Sequence, residues 1–162
     1  MDTWTQNRKS KMSFLDFFSE SAFKKREIQR TVKLLQQDYL TALKISSNLS
    51  MHVKWIPYPF LQERVRKISE SLRKQSELLR EQITKLGGEL PQFSSEQPTL
   101  YDHRQNVKKL VQELENLSEL YETYAHQRNI VEQSESAQVL STLLDNTGKL
   151  KEDLTDIVMR LS

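Results

Sequence analysis

Four stretches of the chain repeat apolar residues at steps of three and four. Over residues 27 to about 55, Ile28, Val32, Leu35, Tyr39, Ala42, Ile45, Leu49 and Val53 form the stripe of a helix with one buried face. The run Trp55-Ile56-Pro57-Tyr58-Pro59-Phe60 follows, and two prolines in three residues end that helix and turn the chain. A second stripe of Leu61, Val65, Ile68, Leu72, Gln75, Leu79, Ile83 and Leu86 predicts a helix over 60–86. Glu63/Lys67, Glu70/Lys74 and Glu81/Lys85 lace its polar side at i,i+4 spacing, and Gly87 supplies a stop. The third pattern, over 104–131, uses Val107, Leu110, Val111, Leu114, Leu117, Tyr121, Tyr124 and Val131. The fourth uses Leu140, Leu143, Thr147, Leu150, Leu154, Ile157 and Leu161. Ser134 or Ser136 is placed to cap it, and Gly148 within it predicts a close helix contact.

Residues 87–103 hold Gly, Pro and Ser and no stripe. A helix of 28 residues is about 42 Å long, and about 13 extended residues span that distance. The 17 residues of this linker can therefore join two parallel helices, where a short loop would force antiparallel neighbours. The expected fold is all-α: a four-helix bundle over 27–162, with short turns inside each hairpin and one long crossover between helices 2 and 3.

Residues 1–26 read as a separate N-terminal tail containing a short amphipathic helix. Phe14, Phe17, Phe18 and Ala22 share a face at helical spacing. This segment could dock on a partner or a membrane surface. The plainer reading, preferred here, folds it back on the chain's own bundle.

Composition narrows the function classes. The chain has 162 residues, 36% of them hydrophobic, which fits one domain with a sizeable core. Cysteine is absent, which excludes disulfides, thiolate metal sites and thiol catalysis. Three glycines and four prolines are too few for a β-rich fold. No run approaches the roughly 20 apolar residues of a membrane span, and the N-terminus lacks the pattern of a signal peptide, so a cytoplasmic location is expected. Net charge is only +2, but residues 1–86 hold 17 Lys/Arg against 9 Asp/Glu, and residues 87–162 hold 7 against 13. With no basic-aromatic nucleic-acid motif in sight, no nucleic-acid partner is expected. The split instead predicts that the two halves attract, within one chain or across a dimer.

The segment from Phe60 to Pro91, ending Leu86-Gly87-Gly88-Glu89-Leu90-Pro91, resembles the second helix of bacterial ferritin-like proteins, the bacterioferritin, Dps and rubrerythrin-type relatives. With the crossover spacing, the resemblance covers about residues 27–162. It implies a ferritin-like bundle, and a di-iron or di-manganese centre built from one Glu on each of two helices and Glu-x-x-His on each of the other two. Counting back from Leu-Gly-Gly, the second-helix ligands would fall near 72–75, where Leu72 and Gln75 stand; on the fourth helix the matching positions are about Thr147 and Leu150. No Glu-x-x-His occurs anywhere in 134–162. Leu and a neutral amide in place of carboxylates suit a metal-free core, so the expectation is a degenerate member that has lost its di-metal site, with no cofactor.

Other chemistry finds little support. Gly87-Gly88 is not a phosphate loop, and no nucleophile elbow is present. His52 lies about 21 Å along the helix from Asp38, His103 beside Asp102 fits a capping pair, and His126 pairs with Glu122. Trp55, Tyr58 and Phe60 are expected to cover the open end of the bundle, with a binding patch there as the alternative. Gln75 needs buried partners, for which Tyr39, Tyr121, Ser118 and Thr147 are candidates. The expected function is a structural or protein-interaction module, acting through a protein partner or as a homo-oligomer, a dimer first. The alternative is a metal-binding or oxidoreductase protein with an atypical site drawn from Asp38, Glu115, Glu119 and His126.

Overall fold

A computed structural model of the chain describes residues 3–95 and 106–162, with side chains from Leu15 onward. The side chain of Phe14 and the Asp102/His103 pair lie outside the described residues. Four helices carry the structure: α1 (Thr3–His52), α2 (Pro59–Lys85), α3 (Asn106–Ile130) and α4 (Ser134–Leu161). No strand occurs among the described residues. A 3-10 turn, Val53–Trp55, ends α1 ahead of Pro57, and Pro59 opens α2 in the first turn, where its missing N–H costs nothing.

Pairings between helices fix their directions. Thr31, Asp38 and Asn48 of α1 meet Gln133, Gln127 and Glu113, so α1 and α3 run antiparallel. Arg64, Gln75 and Gln82 of α2 meet Asp156, Thr147 and Ser136, so α2 and α4 are antiparallel too. Ser46 and Ser69 bind α1 to α2 in the same sense. Both α2 and α3 therefore oppose α1 and run parallel to each other on a diagonal. Residues 86–105 join them, which is the long crossover that the sequence predicts.

The first part of that crossover is anchored. Gly87 takes φ +78°. Its N–H reaches Thr84 O at 3.0 Å, and the Gly88 N–H reaches Ile83 O at 2.9 Å, which together close the last carbonyls of α2. A Cβ on Gly88 would stand 2.5 Å from Val32 Cγ1, so glycine allows α1 and the chain end of α2 to touch. Gln36 Nε2 then donates to Glu89 O at 2.7 Å, and Phe93 reaches the groove between α1 and α2 beside Leu43 and Ser46. The crossover thus starts along α1, on the α1–α2 face.

Several expectations need correction. Residues 1–26 are not a separate tail with its own short helix: from Thr3 onward they continue α1, which is 50 residues long. The fold-back onto the bundle does not occur over the described side chains, because every residue from Leu15 to Arg26 is exposed. The buried face of α3 is Leu110, Glu113, Leu117, Leu120, Tyr124 and Gln127, rotated from the apolar stripe. Ser136 caps nothing; it is buried and accepts a hydrogen bond from Gln82 Nε2, while Gln133 occupies the cap position of α4 with its side chain turned to Thr31 rather than capping the helix. At the first turn Ile56 is the buried plug, while Tyr58 and Phe60 face solvent and Trp55 is half-buried. Gly148 behaves as expected: a Cβ there would lie 3.3 Å from the Tyr121 ring.

The substitution Gly88→Ala is expected to cost ~1–3 kcal/mol, because the β-branched Val32 cannot swing away. Urea unfolding reads this directly. A variant as stable as the parent would show that Gly88 does not seat the crossover on α1.

Candidate functional site

The helices meet at mid-bundle in polar rather than apolar contacts. Asp38 comes from α1, Gln75 from α2, Tyr124 and Gln127 from α3, and Thr147 from α4, and all five are buried. Each occupies an inward position of its helix at three- or four-residue steps from other buried residues. Gln75 Nε2 donates to Thr147 Oγ1 at 3.1 Å, and Tyr124 OH donates to Gln75 Oε1 at 3.4 Å. Gln127 Nε2 donates to Asp38 Oδ1 at 3.0 Å. Asp38 Oδ2 and Gln127 Oε1 are buried with no partner. Both orphans belong to the same acid–amide pair. A proton on the Asp38 carboxyl supplies a donor that this pair, with two unpartnered acceptors, otherwise lacks.

Electrostatics agree with that proton. Burial pushes the Asp38 carboxyl from 3.8 up to about 7, against the opposing pull of the Gln127 hydrogen bond. Burial also raises the Tyr124 phenol well above its ordinary value, with the nearby Asp38 charge adding to the shift. Two further buried titratable groups lie toward the α2 turn. Glu113 is raised by burial, partly offset by Asn48 Nδ2 at 2.9 Å and Asn116 Nδ2 at 3.3 Å. His52 is lowered by burial and by the Lys109 charge.

Of the four positions that the resemblance assigns to metal ligands, two come together. Gln75 and Thr147 face each other in the polar layer, as expected for the amide. Leu72 is fully buried in the apolar core, and Leu150 is half-buried at its edge. Tyr124, which the sequence places in the third apolar stripe but not among the candidate partners of Gln75, is that amide's second partner. Ser118 bonds instead to Leu114 O, and the Tyr121 ring lies under Lys151 Nζ at 4.5 Å from its centroid. The atypical metal set does not converge. Asp38 and Glu119 line one cleft of about 340 Å³ between α1 and α3, but Glu119 is exposed, as are Glu115 and His126. No group of three or more His, Cys, Asp or Glu among the described residues could hold a metal ion. One buried carboxyl with two amides, a phenol and a hydroxyl does not fit a di-iron or di-manganese centre, which needs several anionic oxygens.

The charge split acts partly within the chain. Arg64 of α2 bridges Asp153 and Asp156 of α4, and Lys85 meets Glu135 at 2.9 Å. Such exposed pairs orient helices more than they stabilise them. Surface aromatics make two ring contacts among the described residues: Phe17 with Phe18 in edge contact on α1, and Tyr58 with Phe60 at the first turn, ring centroids 6.3 Å apart. Among the described residues, no helix is long and apolar enough to cross a membrane.

Comparison with known proteins adds a fold. No protein-family model matches the chain, and no curated protein does. A crystal structure of a protein from Xanthomonas campestris pv. campestris is similar over 84% of this chain and 92% of that one, with a TM-score of 0.72 and 18% identity. The likeness extends to the helical architecture alone.

Replacing Asp38 by Asn keeps the shape of the neutral acid and offers Gln127 both a donor and an acceptor. The folded chain holds a proton that the unfolded chain releases between about pH 4 and pH 7. Asp38 therefore contributes fully below pH 4, and its contribution is lost as pH rises through about 7. Asp38→Asn is expected to raise stability at pH 8, by at most roughly 4 kcal/mol, and to change it little at about pH 3.5, below the unfolded value. Thermal unfolding of both proteins at both pH values checks this, with the His52 contribution cancelling in the difference. Equal destabilisation at the two pH values would contradict it.

Proposed function

We propose that this chain is a non-catalytic helical module on a ferritin-like scaffold whose di-metal site has been lost, and that it acts through its surfaces, by self-association or by binding a partner protein. The observation that carries this reading is the make-up of the mid-bundle layer. The inward positions where the resemblance expects ligands hold Leu72, Gln75, Thr147 and Leu150, and the polar ones satisfy each other. Gln75, Thr147 and Tyr124 spend their polar groups on one another, which leaves few to offer a metal or a substrate. What remains accessible is the outside, with the Tyr58/Phe60 patch at the first turn. Self-association as a dimer and a cytoplasmic setting are part of the proposal.

The rival is an oxidoreductase using Asp38 with Glu119, which share a cleft. Metal analysis of protein purified without chelator, then loaded with Fe(II) and Mn(II), separates the two. The proposal expects well under one metal per chain and no oxygen uptake on iron addition. About two metals per chain with oxygen consumption would overturn it, since that is the stoichiometry of a di-metal carboxylate site.

A further inference from the structure

The described side chains of α1 before Glu27, Leu15 to Arg26, are all exposed. Among the described side chains of the helix, the first buried residue is Thr31, beside Gln133. At 1.5 Å per residue, residues 3–26 project as about 36 Å of helix. Leu15, Phe17, Phe18 and Phe23 are each more than half exposed along it. At 100° per residue, Phe14, Leu15, Phe18 and Ala22 fall within an arc of about 100°, and Phe17 widens it to roughly 160°. Asp16 and Glu20 fall on the opposite side of the helix. Cations bracket the apolar patch at both ends, with Arg8, Lys9 and Lys11 before it and Lys24, Lys25 and Arg26 after it. Lys11 and Lys25 continue the line of the apolar arc itself.

Charge selects the occupant of this face. A second copy pairing antiparallel about Phe17/Phe18 would set Lys24 against Lys11 and Arg26 against Lys9. A parallel pair would set each cluster against itself. Both arrangements oppose like charges at both ends of the patch. An anionic surface complements both clusters at once. The wide arc also suits a lipid interface, which deforms around a helix, better than a single groove, which grips one stripe.

We infer that residues 3–26 of α1 dock this protein on an anionic lipid surface, with the aromatic arc at the acyl boundary and the flanking lysines and arginines on headgroup phosphates. The inference goes beyond the proposed function and does not rest on it. The bundle can be a metal-free interaction module whether or not its helix touches lipid.

The full-length protein is to be mixed with unilamellar vesicles of phosphatidylcholine alone, or with about a third phosphatidylglycerol, at low and high salt. The expected result is co-sedimentation with the anionic vesicles only, falling steeply with salt. Phe17→Glu/Phe18→Glu should weaken partition about tenfold or more, because it places charge in the apolar arc. Lys24→Glu/Lys25→Glu/Arg26→Glu should do the same through lost attraction. All five positions are exposed, so unfolding curves of both variants should match the parent. No partition to anionic vesicles, equal partition to both compositions, or full binding by the Phe variant would overturn the inference. So would a concentration-dependent dimer that the Phe variant abolishes while vesicle binding is absent.

Discussion

The four helices are held at one relative height by polar groups that satisfy each other only there. Leucine faces slide past one another at small cost, but Gln75, Thr147 and Tyr124 must be level to share hydrogen bonds. Moving one helix by a residue turns its face by about 100° and strands a buried amide or hydroxyl against hydrocarbon. Each stranded group costs about 1–3 kcal/mol. Asp38 and Gln127 add a second such lock between α1 and α3, and Ser46 with Ser69 a third, in which each hydroxyl donates to the other's backbone carbonyl at 2.8 Å. The bundle is therefore specified by polar layers and stabilised by the apolar stripes between them.

Topology follows from the same locks. Because α1 opposes both α2 and α3, the connection from α2 must travel back along the bundle before α3 can start. The glycine pair makes that departure possible by closing the end of α2 and letting the chain lie against Val32. Arg64 and Lys85 then tie the basic first hairpin to the acidic second one across α2 and α4.

The architecture was legible because it is written in period and punctuation. All seven stripe residues from Leu61 to Ile83 are buried, and the length of the linker revealed a parallel pair. Leu-Gly-Gly, the signal that carried the family resemblance, turns out to be a helix-ending device with a close approach built in. It supports a fold more than a lineage. The face of α3 was misread because apolarity was used as the only marker of burial. Positions 110, 113, 117, 120, 124 and 127 step 3, 4, 3, 4, 3, and this spacing would have put Glu113 and Gln127 inside. Partners of Gln75 could be only partly foreseen, since the meeting of Tyr124 with an amide on a diagonal helix is a matter of register. The continuity of α1 was hidden because nothing breaks the helix between Thr3 and Ile28, while the change from buried to exposed depends on where the other helices end.

A helical scaffold of this kind can hold chemistry only if its centre is charged and open. Here the centre is uncharged below about pH 7, and the one carboxyl in it is matched to an amide that a proton completes. Titrating the Asp38 carboxyl by carbon-detected NMR in the intact protein tests this most directly. The account predicts a midpoint near 7. A midpoint near the ordinary value of about 4 would mean that a charge sits at mid-bundle, and the neutral closed layer would not stand.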